Sequence, residues 1–195
     1  VGQDLLEAPS QDPEAVSPPA ELHEHLSDTE SFVLCDARAH GLPVRFASKG
    51  FKEMFECAKG EAWALLGCGR LLTDPAELRA AAALADLSLE ETAEALQWLE
   101  RLLLAAARKV ARATKLYQSD FAWVVRLGKG GPFICEVSLI LRKHPTLGWP
   151  YIMALHQDAS QQVSVRRLLR AVAAGSGHAL LDSLRNALED RRHFR

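Results

Sequence analysis

The chain has 195 residues, 48% of them hydrophobic and 25% charged, with a formal net charge of −2. That length holds one domain with extensions or two small ones, and the composition is that of a globular protein with a core of useful size. The charge excludes nucleic acid as a general partner. No run approaches the ~18 apolar residues of a membrane span; the stretch Leu102 to Ala107 is flanked by Arg101 and Arg108.

The charge is unevenly placed. No Lys or Arg precedes Arg38, whereas the tail carries Arg166, Arg167, Arg170, Arg185, Arg191, Arg192 and Arg195. These read as two solvated flanks. The cysteines Cys35, Cys57, Cys68 and Cys135 form no CxxC pair. Reduced, mostly buried thiols are therefore expected rather than a disulfide framework or a zinc site. They suit an intracellular setting, cytoplasm or organelle stroma. The chain starts at Val1 rather than Met, which reads as a processed product or an excised piece, so that a targeting segment, if there is one, is expected to lie outside it.

In chain order, residues 1–30 read as an acidic, proline-containing arm, with a short helix over 20–28. His23 and His25 are two apart, point apart on a helix and make a poor metal pair. Phe32 to Asp36 and Val44 to Ala47 are short apolar runs joined by a turn with Gly41 and Pro43, which predicts a β-hairpin. Ser48 then caps a helix that buries Phe51, Met54 and Phe55. A second short helix is expected from Cys57 to Leu66, broken by Gly67 and Gly69. Thr73-Asp74-Pro75 starts a further helix that runs to about Leu84.

Ser88 and Glu91 have capping-box spacing, so a long helix is predicted over about 89–114. Leu89, Ala93, Leu96, Leu99, Leu103, Ala106 and Val110 form its expected buried stripe, widened by Trp98, Leu102 and Ala105. The period then changes to two. Strands are predicted over 120–127, 133–142 and 149–157, with turns at Gly128–Gly131 and His144–Gly148. His144 and His156 are expected to have satisfied hydrogen bonds. A helical tail follows from Val163, stopped at Gly175, with a hinge at Ser176-Gly177 and a last helix over about 179–190.

Asp36, Leu42-Pro43, Phe46-Ala47-Ser48 and Gly50-Phe51 resemble the entry to a PAS domain of the LOV (light-oxygen-voltage) type. Leu66-Gly67-Cys68-Gly69-Arg70-Leu71-Leu72 is similar to that family's L-G-x-N-C-R-F-L-Q signature with one residue missing. The resemblance covers roughly 31–158. It implies an α+β fold: a five-stranded antiparallel sheet with helices on one face, here with a long inserted helix and a C-terminal helical extension. The domains are then the arm 1–30, a PAS/LOV-like domain 31–160 and the extension 161–195.

The resemblance also implies a flavin site, and this sequence departs from it. The adduct-forming cysteine of the family falls on Gly69. Cys68 is one residue away, a rotation of roughly 100° on a helical turn. The signature's Asn falls on Cys68 and its Gln on Thr73. Arg70 keeps one phosphate arginine, while the second falls near Asp86. The middle strand's Asn falls on Cys135, and the last strand's Gln on or near Leu155, beside His156 and Gln157. Each flavin polar edge left unpaired costs about 1–3 kcal/mol. The positions closest to the family's flavin motif are thus Arg70, Cys68, Thr73, Cys135 and Leu155, and no metal or catalytic residue is expected. The expectation is no cofactor, with FMN as the alternative.

The functional expectation is a non-enzymatic LOV-like PAS module without photochemistry. It would act in protein–protein interaction or as a structural or regulatory subunit, its amphipathic helices meeting a protein partner or a second copy in a homodimer. The alternative is a flavin- or small-ligand-binding PAS sensor of the blue-light photoreceptor type. A third reading, thiol chemistry at Cys68, has no Cys-His or Ser-His-Asp context to support it.

Overall fold

The computed structural model describes residues 29–55, 74–144 and 148–193. Two strands open the described chain: β1 (Phe32–Asp36) and β2 (Val44–Ala47), followed by helix α1 (Lys49–Phe55). Ser48 ties these pieces together. Its hydroxyl accepts from the Phe32 N–H at 3.0 Å and the Phe51 N–H at 3.1 Å, and donates to the Glu30 carbonyl at 2.7 Å. The expected cap therefore also anchors the start of β1. Gly50 is needed beside it, since a Cβ there would stand 2.2 Å from the Thr29 carbonyl oxygen.

Helices α2 (Pro75–Ala85) and α3 (Leu89–Ala111) start where their capping residues predict. The Asp74 carboxylate accepts from the Ala76 N–H at 2.7 Å ahead of Pro75. At Ser88 both arms of the capping box are made, Glu91 N–H to Ser88 Oγ at 3.2 Å and Ser88 N–H to Glu91 Oε2 at 2.9 Å. The buried stripe of α3 differs from the expected one. It comprises Thr92, Ala95, Leu96, Leu99, Glu100, Leu103, Ala107 and Val110, whereas Leu89 and Ala105 are exposed. Choosing only apolar residues skipped Glu100, which belongs to the stripe.

Three strands complete the sheet: β3 (Ser119–Gly128), β4 (Gly131–Lys143) and β5 (Pro150–Asp158). All neighbours are antiparallel, in the order β2-β1-β5-β4-β3. This is the five-stranded antiparallel α+β architecture expected from the sequence. Directly opposed residues share a face. Val33–Ala154–Leu139, Cys35–Ile152–Leu141, Val137–His156, Val124–Cys135 and Arg126–Phe133 thus lie on one face, over which α3 packs. The opposite face holds a separate cluster of Phe32, Leu34, Tyr151 and Met153. Strand β4 is covered on both faces near its start, where Ile134 and Glu136 are also buried.

Helices α4 (Val165–Ala173) and α5 (Gly177–His193) follow β5. Gly175, at φ +74°, makes the left-handed turn between them, and Ser164 caps α4 by accepting from the Arg167 N–H at 3.2 Å. Helix α5 starts at Gly177, two residues earlier than the sequence predicts. The expected arm and helix of residues 1–28, the helix from Cys57 to Leu66 and the Leu66–Leu72 signature lie outside the described residues.

Candidate functional site

The candidate site lies on the sheet face that α3 covers. Here the end formed by β3, β4 and β5 carries a charge pair and a set of rings. Arg126 on β3 is 1% exposed and Glu100 on α3 is 7% exposed. The guanidinium Nη1 donates to Glu100 Oε1, and Nη2 lies 3.5 Å from Oε2. A guanidinium cannot shed its charge inside a protein, so burying it requires a carboxylate, and α3 supplies one at its centre.

His156 on β5 stands beside this pair. It is 5% exposed, and its Nδ1 has no hydrogen-bond partner among the described residues. The ring keeps a backbone contact with Ala154, so the expectation of a satisfied histidine is met only in part. Burial, and then the positive charge of Arg126, push the imidazole down to about 3, so it is neutral at ordinary pH. The rings of Phe51 and Phe55 meet it edge-on at centroid distances of 4.9 and 5.6 Å, and Phe133 lies 6.0 Å from Phe55. Helix α1 thus fills this part of the sheet face with phenyl rings.

Of the sequence-predicted site residues, Cys135 lies on this face. It is fully buried, its thiol donates to the Glu136 carbonyl at 3.7 Å, and burial pushes it up to about 12. That thiol is not a nucleophile at ordinary pH. Cys35 is equally buried and likewise raised to about 12. Leu155 lies on the other face, packed against the Phe32, Leu34, Tyr151 and Met153 cluster. The pleat instead turns His156 toward Arg126. Cys68, Arg70 and Thr73 lie outside the described residues. Among those described, no group of three or more His, Cys, Asp or Glu could hold a metal ion.

The sequence reading missed Glu100 and Arg126. Both carried a signal. Arg126 is in phase with Ala122 and Val124 on an otherwise apolar strand, and Glu100 sits four residues from Leu96 on the apolar stripe.

No family model matches the chain, and no curated protein does. Solved structures similar to it include a fungal LOV-domain photoreceptor, at 16% identity over 75% of this chain and 86% of that one, with a TM-score of 0.40. The photo-excited blue-light photoreceptor Vivid is 16% identical over 73% of this chain and 82% of its own, with a TM-score of 0.42. The PAS domain of the fruit-fly ELK potassium channel is 15% identical over 71% and 94%, with a TM-score of 0.36. At these scores the likeness carries no argument about activity, which rests on the chain's own residues.

Proposed function

We propose that this chain is a non-enzymatic regulatory module of PAS type, whose cavity is filled by its own side chains and which works by protein contact. The observation that carries this reading is the buried Glu100–Arg126 pair, with His156, Phe51, Phe55 and Phe133 around it. A flavin ring needs donors and acceptors along its pyrimidine edge. Among the described residues, the buried polar groups of this sheet face are the neutral thiols of Cys35 and Cys135, one neutral imidazole and an ion pair turned on itself. They do not fit that edge. The positions Cys68, Arg70 and Thr73 would then be remnants of a binding loop, and Cys135 and Leu155 packing residues. Residues 31–160 would form the module, and the amphipathic α3, α4 and α5 the surface for a protein partner or a second copy. No helix among the described residues is long and apolar enough to cross a membrane.

The test is the visible spectrum of the purified full chain, before and after incubation with excess FMN and removal of free ligand. Colourless protein in both cases is expected. Blue absorbance at one flavin per chain, bleaching on illumination, sinks the proposal. A second reading, a non-flavin small ligand in the cavity, is favoured by the partnerless His156 Nδ1. Native mass spectrometry of the same sample reports it as added mass.

A further inference from the structure

The sheet face turned away from α3 carries an apolar strip. Phe32 (3% exposed), Leu34 (1%), Tyr151 (4%) and Met153 (4%) are sealed at its centre, while Phe46, Ile140, Trp149 and Leu155 around them are only partly buried. Among the described residues, every member of this cluster comes from the sheet, and no helix residue packs among them. Sheet neighbours flank a side chain but leave its tip to solvent, so an uncovered antiparallel face reads as exposed. A sealed centre with an open rim marks a segment lying along the middle. We propose that residues 1–28 of this chain are that segment, an acidic arm that docks along the strip and latches onto a row of arginines and rings at its far end.

Position and charge point to this occupant. Residues 1–28 lead directly into β1, and the Glu30 carbonyl, held by Ser48 Oγ at 2.7 Å, fixes their end beside Phe32. Residues 56–73 instead join α1 to α2, whose Phe51, Phe55, Ala81 and Ala85 belong to the core on the other face. The arm offers Leu22 and Leu26, one helical turn apart. The short helix expected over 20–28 would span about 13 Å, the same as β1 from Phe32 to Asp36. The far end of β1 carries the latch. There Arg38 and Arg45 share one carboxylate, Asp36, at 3.1 and 3.5 Å. Arg38 also lies over the Trp149 ring at 5.5 Å, and Trp149 meets Tyr151 edge-on at 5.7 Å. Arg142, opposite Tyr151 in the register, lies over the Tyr117 ring at 4.4 Å. Three guanidiniums against one carboxylate leave this end positive. Residues 1–28 hold seven carboxylates and no Lys or Arg, so the apolar match and the charge favour the same segment. The docking does not depend on how the cavity is filled. Its consequence rests on the reading of a module that works by protein contact: releasing the arm bares an apolar strip rimmed by Trp, Tyr and Arg, the residues that dominate such contacts.

The experiment uses the full chain with carbon-13 in the Leu and Met methyl groups. The expected result is nuclear Overhauser contacts from Leu22 or Leu26 to Leu34, Met153 or Leu155. None should appear between chains when labelled and unlabelled protein are mixed and intermolecular contacts are selected. Amide hydrogen exchange over residues 20–28 should quicken by at least about tenfold in Leu22→Asp with Leu26→Asp, which puts charge against the strip. Arg142→Glu, or about 1 M salt, should quicken it roughly two- to fivefold. Absence of the Overhauser contacts, contacts found only between chains, contacts from the arm to α4 or α5 instead, or exchange indifferent to both charge reversal and salt overturns the proposal. The Overhauser contacts are read on the unaltered protein, so they stand even if a variant disturbs the fold.

Discussion

Arg126 shows how one side chain can dictate its surroundings. Its charge is fixed, it is 1% exposed, and its partner lies 26 residues earlier in the chain. Removing either member strands the other in the core. Arg126→Met or Glu100→Gln alone should cost about 3–5 kcal/mol in urea unfolding, whereas Arg126→Met with Glu100→Leu should come back close to the parent or exceed it. Additive losses in the double variant would show that the two groups do not act as a pair. His156 beside them makes a second, pH-dependent prediction. Its pKa falls from the ordinary 6.5 to about 3 on folding, so below 6.5 the unfolded chain takes up a proton that the folded chain refuses. Stability from this residue is complete above 6.5 and drains away as pH falls toward 3. The slope is at most about 1.4 kcal/mol per pH unit. His156→Leu should flatten the stability profile between pH ~5 and 6.5, where ordinary carboxylates stay ionised. An unchanged slope would place the proton uptake elsewhere.

At the scale of elements, the termini of helices were the most legible part of the sequence, because a cap is local chemistry. Ser48, Asp74-Pro75 and the Ser88/Glu91 box all act where their spacing placed them. Ser88→Ala removes the acceptor for the Glu91 N–H and the hydroxyl bonded to Glu91, and should lower stability by about 1 kcal/mol in thermal or urea unfolding. Ser88→Asp, which keeps a capping oxygen, should recover most of it. A loss from Ser88→Ala within error of zero would mean that α3 is held by packing alone. The faces of elements were harder to read. On α3 the stripe includes Thr92 and Glu100, which an apolar-only pattern passes over in favour of Leu89 and Ala93. On β5 a shift of one position separates Leu155, on the outer cluster, from His156 among the phenyl rings. A strand's phase is set by its neighbours' register, and those lie far away in sequence.

For the whole molecule, element order was legible because the switch from a helical period to a period of two at β3 is abrupt, and two strands before the helices with three after them leave few antiparallel arrangements. The sheet order was not written in any local pattern. Strand β1 lies between β2 and β5, so Val33 pairs with Ala154 across the greater part of the chain. This long closure should govern how the protein folds. The β3–β4 and β4–β5 pairings join strands that are neighbours in sequence and close small loops, whereas β1–β5 must close nearly the whole domain before its contacts form. We therefore expect a transition state built on β3, β4 and β5, with β1 docking afterwards. Leu139 and Val33 are both fully buried on the same face, so truncating either should cost on the order of 2 kcal/mol or more. The kinetic distribution should differ. Leu139→Ala should mainly slow folding, and Val33→Ala should mainly speed unfolding, in stopped-flow chevrons taken in urea. The reverse assignment would mean that the hairpin of β1 and β2, fastened by Ser48 to α1, forms first and that the meander assembles onto it.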